Sequence, residues 1–187
     1  MGLRKDQTRA RILDAAYEAF WRSGFSRTNV DGIAARARLT KRTLYAHFRS
    51  KDDLLAAVLE HQSELTRARM AEIDASLTNT RNGLIDSLFS QLAAWQTRQR
   101  RFAGSGFTRL AAELADMPGH PARAIAARHK LWVERWYAQR LRKVGVTQAD
   151  AKARQIMLLI EGSMSLVVIH GDRDYFTAAA KAAKRLL

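Results

Sequence analysis

Residues 29–51 contain two short helical patterns separated by a break, in the sequence NVDGIAARARLTKRTLYAHFRSK. In the first pattern, Val30, Ile33, Ala34 and Ala37 have the i, i+3, i+4, i+7 spacing of a helix with one buried face. A second short pattern follows within a few residues. Two short helices joined so closely are typical of a helix-turn-helix, and this feature constrains the fold more than any other.

Each of the two helices is preceded by a residue that can cap its N-terminus. Thr28 or Asn29 precedes the first helix and Thr40 precedes the second, and their side-chain oxygens can accept from backbone N–H groups one turn further on. In the second helix, Leu44 and Phe48 are four residues apart and anchor one face in a core. The opposite face is therefore left exposed.

This exposed face carries basic and hydroxyl side chains. Arg42, Thr43 and Ala46 lie opposite the two anchors, and Tyr45 and His47 lie on the flanks. Arg donates to guanine or phosphate, Thr can bond a base or contact a thymine methyl, and a small Ala allows close approach to base edges. The face therefore suits the major groove of DNA.

Two lysines add positive charge at neighbouring helix starts. Lys41 lies in the first turn of the second helix. Ser50 can cap a further helix, whose first turn carries Lys51 beside Asp52 and Asp53. Because a helix N-terminus with a lysine is suited to bind phosphate, we predict a backbone contact for Lys51.

The helix-turn-helix lies within a longer run of short motifs in a fixed order: Gly24-Phe25, Thr28, Ile33-Ala34, Leu39-Thr40, Thr43-Leu44-Tyr45, His47-Phe48 and Lys51-Asp52-Asp53-Leu54-Leu55. This order resembles the N-terminal DNA-binding domain of the tetracycline-repressor (TetR) family. The resemblance is collinear over roughly residues 8 to 55, so it is more specific than a generic helix-turn-helix pattern.

The resemblance implies a role for each matching position. In that family the second helix of the motif reads base edges, and the Tyr and the Lys that opens the following helix contact phosphate. The DNA-binding residues implied here are Lys41, Arg42, Thr43 and His47 for bases, Tyr45 and Lys51 for phosphate, and the caps Thr28 and Thr40.

Two positions depart from the family pattern. Arg38 stands in the turn where the family usually has Gly, and a positive φ there costs a side chain about 1 kcal/mol relative to Gly. We expect Arg38 either to adopt that strained conformation or to take a slightly different turn. Gly32 stands inside the first helix, where a long polar residue is commoner. Neither departure removes a predicted DNA contact.

Positive charge is concentrated around this motif. The chain of 187 residues has 32 Lys and Arg against 18 Asp and Glu, a formal net charge of +14. Residues 1–51 hold 12 of the basic and 4 of the acidic residues, a net charge of +8. This distribution indicates a polyanionic partner more strongly than total charge does. The basic arm at residues 1–5 is either a frayed terminus or a further DNA contact.

The composition predicts an all-α protein. Hydrophobic residues make up 47% of the chain, and 2 Pro and 10 Gly are too few turn formers for many strands. We predict about nine helices, and expect a DNA-binding domain at 1–50 and a ligand-binding and dimerisation domain at 51–187. Outside the helix-turn-helix, the predicted helices cover about 6–23, 51–77, 80–101, 107–117, 121–144, 147–170 and 174–187. Thr147 is the predicted N-cap of the helix at 147–170.

The helix predicted at 147–170 points to a partner chain. Its second half is apolar on nearly every side and contains the small residues Gly162, Ser163 and Ser165, which permit close helix packing. It is either the central helix of a monomer or part of a dimer interface, and we favour the dimer. The resemblance implies a homodimer joined by the last two long helices of each copy.

A set of aromatic, Met and acidic residues in the second domain could line a ligand pocket. Such residues are core by default, but this group is larger than a small helical core needs, and pockets between helices are lined in this way. Glu161 is the candidate polar group of the pocket, although it could equally face water. The predicted pocket residues are Phe89, Trp95, Phe102, Phe107, Trp132, Trp136, Met157 and Glu161.

The sequence carries none of the enzyme motifs sought. It lacks a phosphate-binding P-loop, a nucleophile elbow and an H-E-x-x-H motif, and no two of its five His share an i, i+3 or i+4 spacing, so we expect no metal or cofactor. It has no Cys and no 18-residue apolar run, and we expect a cytoplasmic protein without a membrane partner.

We therefore predict a ligand-responsive regulator of transcription that binds a palindromic operator in double-stranded DNA and is released by a small-molecule effector. Repression is the commoner role in the family, and activation remains open. Two alternatives also remain: a helical small-molecule-binding protein or enzyme with an incidental basic head, and a nonspecific nucleoid or membrane-surface binder. The second alternative does not require a capped and oriented reading helix, which this sequence has.

Overall fold

The computed structural model describes residues 2–74, 76–98 and 103–187, with side chains from residue 5 onward. The described residues form nine α-helices and no strand, which confirms the all-α prediction. The helices are α1 (Gly2–Arg27), α2 (Val30–Arg36), α3 (Lys41–Tyr45), α4 (Lys51–Asp74), α5 (Arg81–Arg98), α6 (Gly106–Glu113), α7 (Pro121–Lys143), α8 (Ala149–His170) and α9 (Asp174–Arg185).

The chain packs into two compact units. The head unit comprises the residues up to Ala68 together with Gly106–Arg128, and the body unit comprises Arg69–Ser105 and His129–Leu187. The functional division between residues 50 and 51 stays a prediction. By packing, α6 and the first part of α7 belong with the head unit.

The head unit has a single buried core to which α1 to α4, α6 and the first part of α7 contribute. The two predicted anchors of the second helix, Leu44 and Phe48, are 0% and 3% exposed, so their prediction is confirmed. Burial of these two side chains sets which face of α3 points outward. The largest fully buried side chains of this core are Ile12, Phe20, Ile33, Leu44, Leu54, Leu55, Leu59, Leu110 and Leu114.

Polar side chains cap three successive helices of the head unit. The Gly32 N–H donates to Asn29 Oδ1 at 2.7 Å, so Asn29 is the cap of α2. The Thr43 N–H donates to Thr40 Oγ1 at 3.1 Å, which confirms Thr40 as the cap of α3. Ser50 caps α4, because its Oγ accepts from the N–H three residues later at 3.0 Å.

The turn between α2 and α3 places Arg38 in the left-handed region, with φ of 54°. The Leu39 N–H donates to the Ala34 carbonyl at 2.9 Å, and the Arg38 N–H donates to the Ala35 carbonyl at 3.0 Å. These two bonds form a Schellman motif, in which the left-handed position is usually Gly. Of the two expectations for Arg38, the structure therefore shows the strained conformation.

The body unit is built around α5, α7, α8 and α9. Its larger apolar cluster includes Ile85 of α5, Leu141 of α7, Ile156 of α8 and Phe176 of α9. A smaller cluster contains Met70, Val133, Trp136 and Met157. Both clusters lie between helices, so the amphipathic faces of these four helices hold the unit together.

The N-terminus of α8 differs from its prediction. Thr147 does not cap this helix: the N-cap is Gln148, which has φ of 54° and makes no capping hydrogen bond through its side chain. The chain enters α8 through a tight turn after Val146, and that turn shifts the cap one residue further along. At the other end, Gly171 has φ of 71° and its N–H donates to the Val167 carbonyl, as suits a glycine stop.

Among the described residues, α8 is the one helix long and apolar enough by composition to cross a membrane. In this structure it packs against α9 and buries Ile156, Ile160, Met164 and Val167 in the body-unit core. A core helix of a globular domain meets the same compositional test. We therefore interpret α8 as a core helix with one uncovered side.

Candidate nucleic-acid interface

The helix-turn-helix is held to α1 by a long-range hydrogen bond as well as by the apolar core that they share. The Arg11 guanidinium donates to the Ala37 carbonyl, at the C-terminal end of α2, at 2.6 Å. A cation at a helix C-terminus also interacts favourably with the helix dipole. The orientation of α2, and with it the outward face of α3, is therefore fixed relative to α1.

Two cations on the exposed face of α3 differ in whether they pair with an acidic side chain. The Lys41 ammonium donates to Asp31 Oδ2 of α2 at 3.1 Å. Arg42 is exposed and forms neither a side-chain hydrogen bond nor an ion pair with any described residue. Arg42 can therefore donate to a base or phosphate without losing a partner, whereas Lys41 would first have to leave Asp31.

Three further predicted contacts follow along α3 and the turn after it. Thr43 is half-buried, and its hydroxyl shares a 2.8 Å hydrogen bond with that of Thr40. Tyr45 is 44% exposed, although aromatic side chains usually bury more of their surface. His47 lies beyond the end of α3, with its ring half-buried next to Phe48. Tyr45 is thus the most accessible of these three side chains.

Lys51 lies at the first position of α4 against the turn that follows α1. Its ammonium is 4.3 Å from the centre of the Phe25 ring and 3.5 Å from the Ser26 carbonyl oxygen. Partial burial lowers the pKa of Lys51, while the carboxylates of Asp52 and Glu113 oppose that shift. The ammonium is held by weak contacts at the surface, a state suited to exchange for a phosphate oxygen.

Thr28 is placed differently from the other predicted contacts. It is 6% exposed, and its hydroxyl lies 2.6 Å from the Gly24 carbonyl and 3.1 Å from the Ala19 carbonyl. A hydroxyl has one proton, which these two carbonyls share. The side chain of Thr28 thus stabilises the link between α1 and α2, and its contact with DNA stays a prediction.

The structure also contains a basic groove between α1 and α2, which was not predicted from the sequence. It has a volume of about 250 Å³, and Arg22, Arg27 and Arg36 are among its lining residues. One acidic side chain, Glu18, pairs with Arg36 at 2.7 Å and with Arg22 at 3.9 Å. Arg22 and Arg27 lie on α1 and Arg36 lies on α2, so the packing of α1 on α2 forms the groove.

The predicted pocket residues do not form one group. Trp136 and Met157 belong to the small cluster of the body unit, with Trp132 packed against it. Phe89 lies in the larger cluster of the same unit, and Trp95 packs against that cluster.

Of the other two aromatic residues predicted for the pocket, one lies in a different unit. Phe107 is part of the head-unit core, because α6 packs there, and it is 9% exposed. Phe102 lies outside the described residues. Every described residue predicted for the pocket, except Phe107, therefore lies in the body unit.

Glu161, the predicted polar group of the pocket, is paired with a lysine. The Lys130 ammonium donates to Glu161 Oε1 and also to Ser105 Oγ, the latter at 2.8 Å. The two charged side chains are 26% and 22% exposed. Burial lowers the pKa of Lys130, against the effect of Glu161, whereas burial raises the pKa of Tyr137. An ion pair thus lies between α7 and α8, and its Glu161 carboxylate acts electrostatically on the buried Tyr137.

A capped, outward-facing helix with exposed basic and aromatic side chains is typical of the second helix of a helix-turn-helix. The sequence model described as "Bacterial regulatory proteins, tetR family" matches residues 12–58, which cover the helix-turn-helix and the start of α4. This part of the chain is therefore similar to the TetR family.

Relatives in sequence and structure agree with that similarity. The chain is 35% identical to the HTH-type transcriptional repressor SCO4008 of Streptomyces coelicolor, over 65% of this chain and 63% of the relative. It is 33% identical to the HTH-type transcriptional regulator TtgR of Pseudomonas putida, over 51% of this chain and 47% of the relative. The matches thus span about half to just under two thirds of these relatives.

A solved structure extends the similarity to nearly the whole chain. The TetR-family transcriptional regulator SCO4454 from Streptomyces coelicolor superposes with a TM-score of 0.84 and 26% identity. The superposition covers 96% of this chain and 95% of that one. The body unit is therefore similar to a known regulator in fold, although its sequence carries no motif that predicted this.

Proposed function

We propose that this protein regulates transcription by binding double-stranded operator DNA through α3. The observation that carries the proposal is the outward face of α3, fixed by the Thr40 cap and the buried Leu44, on which Arg42 and Tyr45 are exposed. Arg42 would read base edges in the major groove. Tyr45, together with Lys51 at the start of α4, would contact phosphates on the flanking backbone.

Repression is the proposed mode of regulation, and the cytoplasm, where bacterial DNA lies, is the proposed location. The similar protein SCO4008 is named as a transcriptional repressor, which supports this choice over activation. We include no enzymatic activity, because the similar proteins are named as regulators. A repressor of this kind acts by occupying its operator, so that DNA affinity and regulation are directly linked.

A small-molecule effector is proposed to bind the body unit. Trp132, Trp136 and Met157 lie together there, and the Lys130–Glu161 pair between α7 and α8 supplies polar groups in the same unit. Apolar walls with a few polar groups are typical of small-molecule sites between helices. Effector and operator would weaken each other's binding by equal free energies, because the coupling between two sites is reciprocal.

Operator binding is proposed to require a homodimer formed through α8 and α9. On α8, Leu158 and Ile169 are each 69% exposed, and the exposed residues Ala151, Gln155, Gly162 and Ser165 complete a stripe that repeats every three or four residues. Such a stripe matches the seam of a helical bundle. A two-fold dimer would place its two α3 helices in successive major grooves, roughly 34–36 Å apart.

Selection of bound duplexes from a random DNA pool at near-physiological salt tests this function. We expect enrichment of a palindrome whose half-sites are about one helical turn apart. Enrichment of a single unrepeated half-site would contradict the dimer and leave the reading role of α3 intact. If no sequence is enriched although DNA is retained, α3 does not read bases and binding depends on charge alone.

A further inference from the structure

The end of α1 contains a break that leaves two backbone donors without helical partners. Gly24 has φ of 80° and ψ of 170°, which ends the regular helix before a last turn at Phe25 and Ser26. The amide groups of Phe25 and Ser26 therefore cannot donate to the preceding turn of α1 in the usual way. Phe25 is 7% exposed, and a buried donor of this kind needs another acceptor.

That acceptor is a carboxylate far away in the sequence. Glu113, the last residue of α6, accepts from the Phe25 N–H at 2.7 Å and from the Ser26 N–H at 3.4 Å through the same oxygen, Oε2. Its side chain is 27% exposed, so the bond to Phe25 is partly shielded from water. Charge-assisted hydrogen bonds from backbone amides to a carboxylate are stronger than neutral ones.

The carboxylate of Glu113 is itself held in place. The Arg109 guanidinium, one turn earlier on α6, lies 3.9 Å from Glu113 Oε1 and donates to the Trp21 carbonyl of α1 at 2.7 Å. A Cβ atom at Gly24 would come within 2.4 Å of Glu113 Oε1. The positive φ at position 24 favours glycine, and a Cβ atom there would displace the Glu113 carboxylate from the two amides.

The turn that Glu113 holds is also the surface on which Lys51 rests. The Lys51 ammonium contacts the ring of Phe25 and the carbonyl of Ser26, the same two residues whose amides donate to Glu113. The carboxylate of Glu113 also raises the pKa of Lys51 against the effect of burial. Displacement of this turn would remove both contacts of the ammonium.

We propose that Glu113 is a positioning residue for DNA binding, which holds the Phe25–Ser26 turn and thereby places the Lys51 ammonium for contact with phosphate. This inference rests on the proposed function, since it assumes that Lys51 contacts DNA. Glu113 itself does not contact the nucleic acid. It acts through the two amides and through the position of Lys51.

Simple electrostatics predicts the opposite effect of removing Glu113. The chain has a net charge of +14, and loss of one carboxylate makes it more positive by one unit. If Glu113 acted only as a charge, its replacement by Ala or Gln would strengthen binding to any duplex. If it is a positioning residue, replacement by Ala weakens binding in spite of the added positive charge.

The experiment measures affinity for a mixed-sequence duplex over a salt series, using the full-length chain and the variants Glu113→Ala, Lys51→Ala and the double variant. We expect Glu113→Ala to weaken binding on the order of fivefold. The double variant should bind no more weakly than Lys51→Ala alone, because both changes act on the same phosphate. The slope of log affinity against log salt should become shallower by about 0.9 for each phosphate that is no longer neutralised.

Glu64→Ala is the matched control, since Glu64 is an exposed residue of α4 in the same unit. It removes the same charge and should leave binding unchanged or slightly stronger. Glu113→Gln retains an oxygen that can accept from Phe25, so it should weaken binding less than Glu113→Ala does. It also provides a folded variant if Glu113→Ala proves unstable in circular dichroism melts.

The outcomes separate this inference from the proposed function. Affinity that is unchanged or higher in both Glu113 variants overturns the positioning role. The same conclusion follows if the effects of Glu113→Ala and Lys51→Ala multiply in the double variant. If Lys51→Ala alone has no effect on affinity or on the salt slope, the proposed phosphate contact fails as well.

Discussion

Arg38 holds a backbone conformation that glycine usually supplies in a turn between two helices. Its φ of 54° is compatible with both hydrogen bonds of the Schellman motif, and we therefore predict that Arg38→Gly preserves the turn. The variant should be more stable by about 0.5–1 kcal/mol, because the strain of the side chain is relieved. Urea denaturation followed by circular dichroism measures the change. A lower denaturation midpoint would show that the Arg38 side chain contributes more than its strain costs.

The predicted DNA contacts divide into two classes at the residue scale. Tyr45→Ala and Lys51→Ala should weaken binding to all sequences, because both residues are assigned to phosphates, and Lys51→Ala should also reduce the dependence of binding on salt. Arg42→Ala should mainly alter which base pair is preferred, at a cost of about 1–3 kcal/mol for the cognate operator. Thr43→Ala should also alter base preference.

Salt-titrated binding to the selected operator and to a mutated operator distinguishes the two classes. The matched comparison is Arg42→Ala with Lys51→Ala, because each removes one cation from the head unit. Equal effects on both duplexes and on the salt slope for all four variants would refute the division of roles.

At the scale of helices, two of the ion pairs that join α7 to α8 differ in the exposure of the cation. Lys130 and Glu161 are 26% and 22% exposed, whereas Arg154 is 72% and its partner Glu134 is 21% exposed. Lys130→Met should lower the free energy of unfolding by about 1–3 kcal/mol, because Glu161 is left partly buried without its cation. Arg154→Met should lower it by less than Lys130→Met does, because the Arg154 guanidinium lies largely in water and its interaction with Glu134 is screened.

The double variant Lys130→Met/Glu161→Leu tests whether the buried pair serves stability. Replacement of both charges by apolar groups should recover most of the stability that Lys130→Met removes. Chemical denaturation of the three variants beside the wild type provides the measurement. If the double variant is as unstable as Lys130→Met, the pair stabilises the α7–α8 packing directly, and a role in effector recognition loses its support.

At the scale of the whole molecule, the uncovered side of α8 determines the proposed assembly. Burial of a Leu or Ile side chain contributes about 1.5–3 kcal/mol, and a two-fold interface counts each residue twice. Leu158→Glu and Ile169→Glu should therefore raise the dimer dissociation constant by at least about a hundredfold. Operator affinity should fall as the dimer dissociates, since a single head contacts only one half-site.

Sedimentation velocity across a concentration series measures the dimer constant. Leu131→Glu on α7 is a suitable control, because Leu131 is an exposed apolar residue, 43% exposed, outside α8 and α9. It should leave the dimer intact. A wild-type chain that sediments as a monomer at all concentrations would contradict the proposed interface.

Features that depend on local spacing could be predicted from the amino-acid order. The caps Asn29, Thr40 and Ser50, and the anchors Leu44 and Phe48, act within one or two turns of their own helix, so residue type and spacing are enough to predict them. The helix-turn-helix and the similarity of residues 12–58 to the TetR family follow from such local patterns.

Contacts between residues far apart in the chain emerged only from the folded molecule. Glu113 meets the amide of Phe25 across 88 positions, and Lys130 meets Glu161 across 31. Phe107 packs in the head-unit core, although its aromatic side chain would also suit a pocket. Each of these depends on how helices pack against one another, and a single helix's periodicity shows which face is buried but not which helix covers it.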